Sequence, residues 1–145
     1  MNIEPISPES NSNFYKQSLI LRNDILRKPL GLDNSKDDLS FEKDQIHFVA
    51  VDNEEVIGVV VLAADKPKVG RLRQMATAEK VRGQRIGVAL VQKLEEYALV
   101  NGMNKITLHA REYAKGFYLK LGYEITSDVF YEVGIPHYKM EKSLV

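Results

Sequence analysis

Two stretches of the chain hold residues whose types and spacing could do chemistry. The first is Arg82-Gly83-Gln84-Arg85-Ile86-Gly87, which lies between a strand-like run and a long amphipathic one. At the start of a helix the first backbone N–H groups have no partner within the helix and point outward. The aligned peptide dipoles add roughly half a positive charge at that end. A pyrophosphate can be held there largely by backbone donors. Glycine lets phosphate oxygens approach closely, and Arg82 and Arg85 could add charge-assisted contacts. The plainer alternative is a basic turn entering an ordinary surface helix. The turn has neither a Gly-Lys-Ser/Thr ending nor Gly-x-Gly-x-x-Gly spacing, which excludes two other phosphate loops.

The second stretch runs Arg111-Glu112-Tyr113-Ala114-Lys115-Gly116-Phe117-Tyr118-Leu119-Lys120-Leu121-Gly122-Tyr123. Phe117 and Leu121 read as core residues. Tyr118, next to Phe117, reads as a ring at the edge of the core with its hydroxyl near a cleft. A phenol so placed could donate a proton to a leaving thiolate. Alternatively it is an aromatic anchor whose hydroxyl is merely satisfied.

A scaffold must position these groups, and the hydropathy pattern predicts one. Residues 13–28 carry Phe14, Leu19, Leu21, Ile25 and Leu26 on one side of a helix, with Ser10, Asn11 or Ser12 as N-cap and Pro29 as its end. Residues 30–44 read as loop with at most a short turn. Residues 46–51 and 56–63 are two apolar runs joined by the turn signal Asp52-Asn53-Glu54, hence a hairpin, and 70–78 is a third strand beyond Pro67. Residues 84–101 form the clearest helix, with Ile86, Leu90, Leu94 and Tyr97 in one stripe and Gly102 after its C-cap. A strand over 105–110 follows, then a short helix through Ala114, Phe117, Tyr118 and Leu121, then strands over 123–126 and 138–141. The expected fold is α/β (α+β): a mixed, mostly antiparallel central sheet flanked by helices. With no repeat or dividing linker, residues 1–145 read as a single domain.

Composition narrows the partners. Twenty basic residues balance twenty acidic ones, so the footprint needed for nucleic acid is missing. There is no cysteine, which removes disulfides, thiolate metal sites and a cysteine nucleophile. The three histidines show no metal-binding spacing, so no metal is expected. No apolar run is long enough for a bilayer, and a cytoplasmic protein without membrane partners is the simplest expectation.

The succession of strand 70–78, turn Arg82–Gly87, long helix, strand and Phe117-Tyr118-Leu119-Lys120-Leu121-Gly122-Tyr123 resembles the GCN5-related N-acetyltransferase (GNAT) superfamily. The likeness extends by element order over residues 48–141 and is sharpest over 72–123. Leu108-His109-Ala110-Arg111, with Gly134-Ile135-Pro136-His137, is similar to a small bacterial single-domain branch. The resemblance implies an acyl-CoA N-acyltransferase fold, acetyl-CoA as co-substrate, a small-molecule or peptide amine as acceptor, and a homodimer as a common assembly. It implies that the backbone of Met75, Ala76 and Thr77 pairs with the pantetheine arm and offers an N–H to the thioester oxygen. It implies that Arg82, Gly83, Gln84, Arg85, Ile86, Gly87 and Val88 hold the pyrophosphate, that Tyr118 is the general acid, and that Lys120 meets the adenosine end. The superfamily's turn is Gln/Arg-x-x-Gly-x-Gly/Ala. Arg82 and Gly87 match it, Arg85 replaces the central glycine, and Arg111 stands where an asparagine is frequent.

An acceptor amine, with a pKa of roughly 10, must lose a proton before attacking a thioester. Glu112, Glu132, His109 and His137 are candidate bases, each equally readable as a solvated carboxylate or a structural histidine. Arg22 and Arg27, five apart on the first helix, either pair a carboxylate on the substrate or form a solvated basic face. Two other classes stand beside the enzyme: a non-catalytic acyl-CoA-binding module of the same fold, and a structural domain whose basic turn binds nothing.

Overall fold

The computed structural model describes residues 1–145, the side chain of Lys36 excepted. One sheet runs in the order β1 (Asn2–Ile6), β2 (Ile46–Asp52), β3 (Glu55–Lys66), β4 (Val69–Thr77), β5 (Lys105–Arg111), β8 (Ile135–Ser143), β6 (Glu124–Ile125), and β7 (Phe130–Glu132) also pairs with β8. All neighbours are antiparallel except β4 and β5. Strand alternation divides the core between the two faces. Phe48, Val60, Leu62 and Leu72 pack with Ile86, Leu90 and Leu94 of α2 (Ile86–Val100) on one face. Val49, Val59, Val61 and Ala76 pack with Phe14, Tyr15 and Leu21 of α1 (Ser12–Arg22) on the other. Central β3 is covered on both sides, which is why its sequence is a nearly unbroken apolar run. A short α3 (Lys115–Lys120) follows β5.

The β2–β3 hairpin turns on Asn53 and Glu54, both with positive φ (49° and 63°), the two-residue turn that matches strand twist. The Gln17 amide clamps it from α1: its Nε2 donates to the Glu54 carbonyl (3.2 Å), and its Oε1 accepts from the Val56 N–H (2.9 Å).

Several elements depart from the sequence pattern. β1 was not anticipated, because it is short and contains Pro5, which an edge strand tolerates. The helix expected over 13–28 is regular only to Arg22. A π-helical turn, Asn23–Arg27, and a 3₁₀ turn, Lys28–Leu30, continue it, so Pro29 lies within the last turn rather than ending a uniform helix. The wider turn places Ile25, Leu26 and Arg27 along a cleft. At the other end, β7 and β8 form a hairpin through Val133 and Gly134 (φ 45° and 78°), and β8 is longer than expected. Val133 carries no turn signal in its residue type, which hid this hairpin.

Arg22 is neither a substrate contact nor part of a solvated face. It is 2% exposed and gives both terminal nitrogens to Glu42, each at 2.8 Å. The Tyr15 hydroxyl also donates to Glu42 Oε1 (2.9 Å), and His47 Nε2 lies 2.9 Å from the Glu42 carbonyl oxygen. The buried pair ties the loop to the end of α1, and the His47 contact ties it to β2. Among the described residues no helix is long and apolar enough to cross a membrane.

Candidate active site

β4 and β5 stay together only at Val69, Gly70 and Arg71, which face Lys105, Ile106 and Thr107. Beyond Arg71 the two strands part, and the edge of β4 that faced β5 has no further strand partner. A bulge assists the parting: between Val59 and Val61 the register jumps from Ala76 to Arg73, so Gln74 and Met75 together oppose Val60. Gln74 takes a left-handed φ of 55°, a conformation that costs a non-glycine residue about 1–2 kcal/mol. At the root of the wedge Gly70 permits a close approach, since a β-carbon there would lie 2.8 Å from Leu62 Cδ1.

The wedge opens into a cleft of about 430 Å³ lined by Met75, Ala76 and Thr77 of β4 and by Phe117 and Tyr118 of α3. A second cleft of about 280 Å³ lies at the start of α2, lined by Gly83, Arg85, Ile86 and Val88. Thr77, Arg82, Gly87 and Phe117 belong to both, so the two adjoin. Gln84 is exposed and lines neither, and Lys120 is exposed on α3.

The start of α2 has the features that can hold an anion. No side chain caps it and no acidic residue occupies its first turn, so its first N–H groups are left for a ligand. Arg85 precedes the helix with φ 61°, a left-handed position that glycine adopts more readily than arginine. Gly87 acts differently from the expectation that it clears space for phosphate. Its missing side chain faces α3, where a β-carbon would lie 3.2 Å from Phe117 Cζ. Gly83 meets nothing within 4 Å. An extended backbone edge leading to an uncapped helix end fits an acyl-CoA: the β4 edge can pair its amide-containing arm, and α2 can hold its pyrophosphate.

Tyr118 and Phe117 exchange the positions expected for them. Tyr118 is the buried ring, 6% exposed, with Phe117 and Tyr123 edge-on to it at 5.0 and 5.7 Å, while Phe117 lies along both clefts. The Phe117 ring rests against Gly87, which leaves Tyr118 to fill the core beneath. The Tyr118 hydroxyl has no hydrogen-bond partner among the described residues, and its side chain lines the main cleft. Burial, with Tyr113 nearby, pushes its phenol well up, so it remains a proton donor.

Three of the four candidate bases meet along the same cleft. His109 Nδ1 lies 2.6 Å from Glu132 Oε1, and His137 Nε2 lies 3.9 Å from Glu132 Oε2. His137 is buried and fixed by its Nδ1, 3.0 Å from the Ile135 carbonyl oxygen, and by stacking on Phe130. Glu112 is paired with Lys115 at 2.7 Å and does not line the cleft. Arg27 does line it and is paired with Asp37 at 3.3 Å. Sequence reading did not single out Arg71 or Arg73. Their i, i+2 spacing on β4 is the signal that puts both on one face.

The model of the acetyltransferase (GNAT) domain family matches residues 29–144. The N-acetyltransferase YjcF of Bacillus subtilis is 26% identical over 133 residues, 91% of this chain and 94% of that protein. YyaT of the same organism is 38% identical over 74 residues, so there the chain spans about half the length of the relative it matches: 51% of this chain against 50% of the other. Among solved structures, an aminoglycoside 6'-N-acetyltransferase complexed with coenzyme A superposes with a TM-score of 0.80 at 22% identity, covering 100% of this chain and 98% of that one. At that identity the likeness is one of fold.

Proposed function

The chain belongs to the GNAT acetyltransferase family, and from that premise we propose that it transfers the acetyl group of acetyl-CoA directly to the amine of a small-molecule or peptide acceptor, with Tyr118 as general acid. The observation that carries this reading is the wedge between β4 and β5, which joins an unpaired strand edge to an uncapped helix start and holds one unpartnered phenol. The co-substrate brings an activated thioester, so the protein's task is positioning and charge handling.

Each group then has a part. Backbone N–H groups of Met75, Ala76 and Thr77 align the pantetheine arm and stabilise the negative charge that develops on the thioester oxygen. The amide groups at the start of α2, with Arg82 and Arg85, hold the pyrophosphate. The Glu132–His109 pair is the route for the proton leaving the amine. When the carbon–sulfur bond breaks, the Tyr118 hydroxyl donates a hydrogen bond to the departing sulfur. With its pKa raised, the phenol supports that charge while it develops and does not complete an early proton transfer.

The test is to incubate the protein with acetyl-CoA and a panel of amines, following free thiol together with the mass of the acetylated product. Thiol release that requires the amine supports transfer. Coenzyme A binding without any acetylated product would favour a non-catalytic binding module, and no coenzyme A binding would remove the reading altogether.

A further inference from the structure

We propose that the acceptor is an amine that also carries an oxyanion, and that Arg71, Arg73 and Arg111 hold that oxyanion. The proposal rests on the acetyl-transfer reading and names the substrate class of the same site.

The three arginines share one face of the sheet. Leu72 of β4 and Leu108 and Ala110 of β5 belong to the core beneath α2. Alternation therefore turns Arg71, Arg73, His109 and Arg111 to the face that carries α1. Two contacts agree: Arg73 Nη1 donates to Gln45 Oε1 (3.1 Å), and Arg111 Nη2 donates to the Leu26 carbonyl (2.9 Å). All four residues line the main cleft where the strands separate, whereas the phosphate-binding start of α2 belongs to the other face.

Their charges are not matched from within. The described residues lining the cleft include Arg27, Arg71, Arg73, Arg82 and Arg111 but a single carboxylate, Glu132. Arg27 is paired with Asp37, and Arg82 lies at the pyrophosphate end. Among the described residues the other three hydrogen-bond only to groups other than carboxylates. Arg111 meets the Leu26 carbonyl and the Tyr113 hydroxyl, and Arg73 meets an amide. Arg71 is the least satisfied. Its Nε is buried without a partner, and its Nη2 lies 3.1 Å from His109 Nδ1. That same nitrogen is 2.6 Å from a Glu132 oxygen. A carboxylate accepts, so Nδ1 carries the proton toward Glu132 and has no lone pair for Arg71.

Half-buried guanidinium groups without a paired carboxylate lose hydration and repel one another. The Arg73 guanidinium shows the strain: burial above all, and then the charges of Arg71, Arg22 and Arg27, outweigh the opposing pull of Glu42 and lower its pKa. A bound carboxylate or phosphate offsets that cost, since the planar fork of arginine matches both in two-pronged geometry. Glu132 on the same side then draws the amine end of the same molecule. A polycation meets like charge across the cleft and is disfavoured.

The test uses matched primary amines of equal chain length: an ω-amino carboxylate, an aminoalkyl phosphate, the ω-amino amide and a diamine. At least one oxyanion-bearing amine is expected to exceed the amide in kcat/KM by roughly tenfold, with the diamine lowest, and the first two arms separate carboxylate from phosphate. Arg73→Gln is expected to lower the acid-to-amide ratio by roughly tenfold with unchanged coenzyme A affinity, which also shows that the variant is folded, and Arg73→Lys should restore part of it. Equal rates for acid, amide and diamine would overturn the proposal. So would a variant that weakens coenzyme A binding while leaving the ratio unmoved, because the arginines would then serve the coenzyme A phosphates. If none of these amines is acetylated, succinate and inorganic phosphate are titrated into the coenzyme A complex. Binding that weakens in Arg73→Gln upholds the oxyanion site even where the transfer reading fails, and absence of binding overturns it.

Discussion

Gly87 and Phe117 touch across the mouth of the wedge: a β-carbon on Gly87 would lie 3.2 Å from Phe117 Cζ and 3.4 Å from its Cε1. The contact joins the first turn of α2 to α3, and both residues line both clefts. A glycine-to-alanine change in a helix usually stabilises by about 1 kcal/mol. Here the methyl must move the ring, so Gly87→Ala is expected to gain nothing in urea unfolding. It should also weaken coenzyme A roughly tenfold, within the range of small overpacking costs. Increased stability with unchanged coenzyme A affinity would show that the ring yields freely and that the contact does not shape the site.

Arg85 holds a left-handed conformation with an exposed side chain and no side-chain cap on the helix that follows. Arg85→Gly relieves about 1–2 kcal/mol of strain and returns part of it as unfolded-state entropy. A net stabilisation of about 0.5–1 kcal/mol is expected, readable as a higher urea midpoint. Coenzyme A affinity should fall roughly two- to fivefold, with a shallower salt dependence, because an exposed charge contact is weak and screened. Unchanged affinity and salt slope would reduce Arg85 to a bystander.

The buried Arg22–Glu42 pair makes the fold sensitive to acid. Burial pushes the Glu42 carboxyl up, but the hydrogen bonds and charge of Arg22, with Tyr15, outweigh it and hold the group below its ordinary value of 4.5. Burial pushes His47 below its ordinary 6.5. Both folded pKa values are depressed, so each contribution to stability is complete above the unfolded value and is lost as pH falls. The urea midpoint should therefore decline first below about pH 6.5 as His47 takes up a proton on unfolding, and again below about pH 4.5 through Glu42. Glu42→Gln is expected to lose roughly 3–5 kcal/mol at pH 7, since it strands a buried guanidinium, and to flatten the lower decline. A midpoint constant from pH 7 to pH 4 would contradict this account.

Much of this was legible in the residues. The stripe Ile86, Leu90, Leu94 locates α2, and the basic turn before it locates the uncapped start of that helix, because both signals are local. Tyr118 was legible as a residue of interest, but not as the buried member of its pair, since Phe117 is drawn outward by an absent side chain thirty residues away at Gly87. The role of Arg22 was hidden because its partner, Glu42, lies in a loop without periodicity. The Arg71-x-Arg73 and His109-x-Arg111 pairs stand openly in the sequence. That they share a face without carboxylates to match them depends on β4 and β5 being parallel neighbours, which no local pattern encodes.

The most direct measurement of the central claim is steady-state acetyl transfer by Tyr118→Phe beside the wild type, at saturating acetyl-CoA with the best acceptor of the amine panel, accompanied by titration of coenzyme A into both proteins. The substitution keeps the ring between Phe117 and Tyr123 and removes an oxygen that has no hydrogen-bond partner among the described residues, so fold and coenzyme A affinity should hold. The kcat is expected to fall roughly ten- to a thousandfold, around the low end of general acid–base contributions. Because burial raises the phenol pKa, the wild type should show no loss of rate below pH 10 from ionisation of Tyr118. A lowered kcat with intact coenzyme A binding is the expected result; equal kcat in the two proteins would contradict the role given to Tyr118.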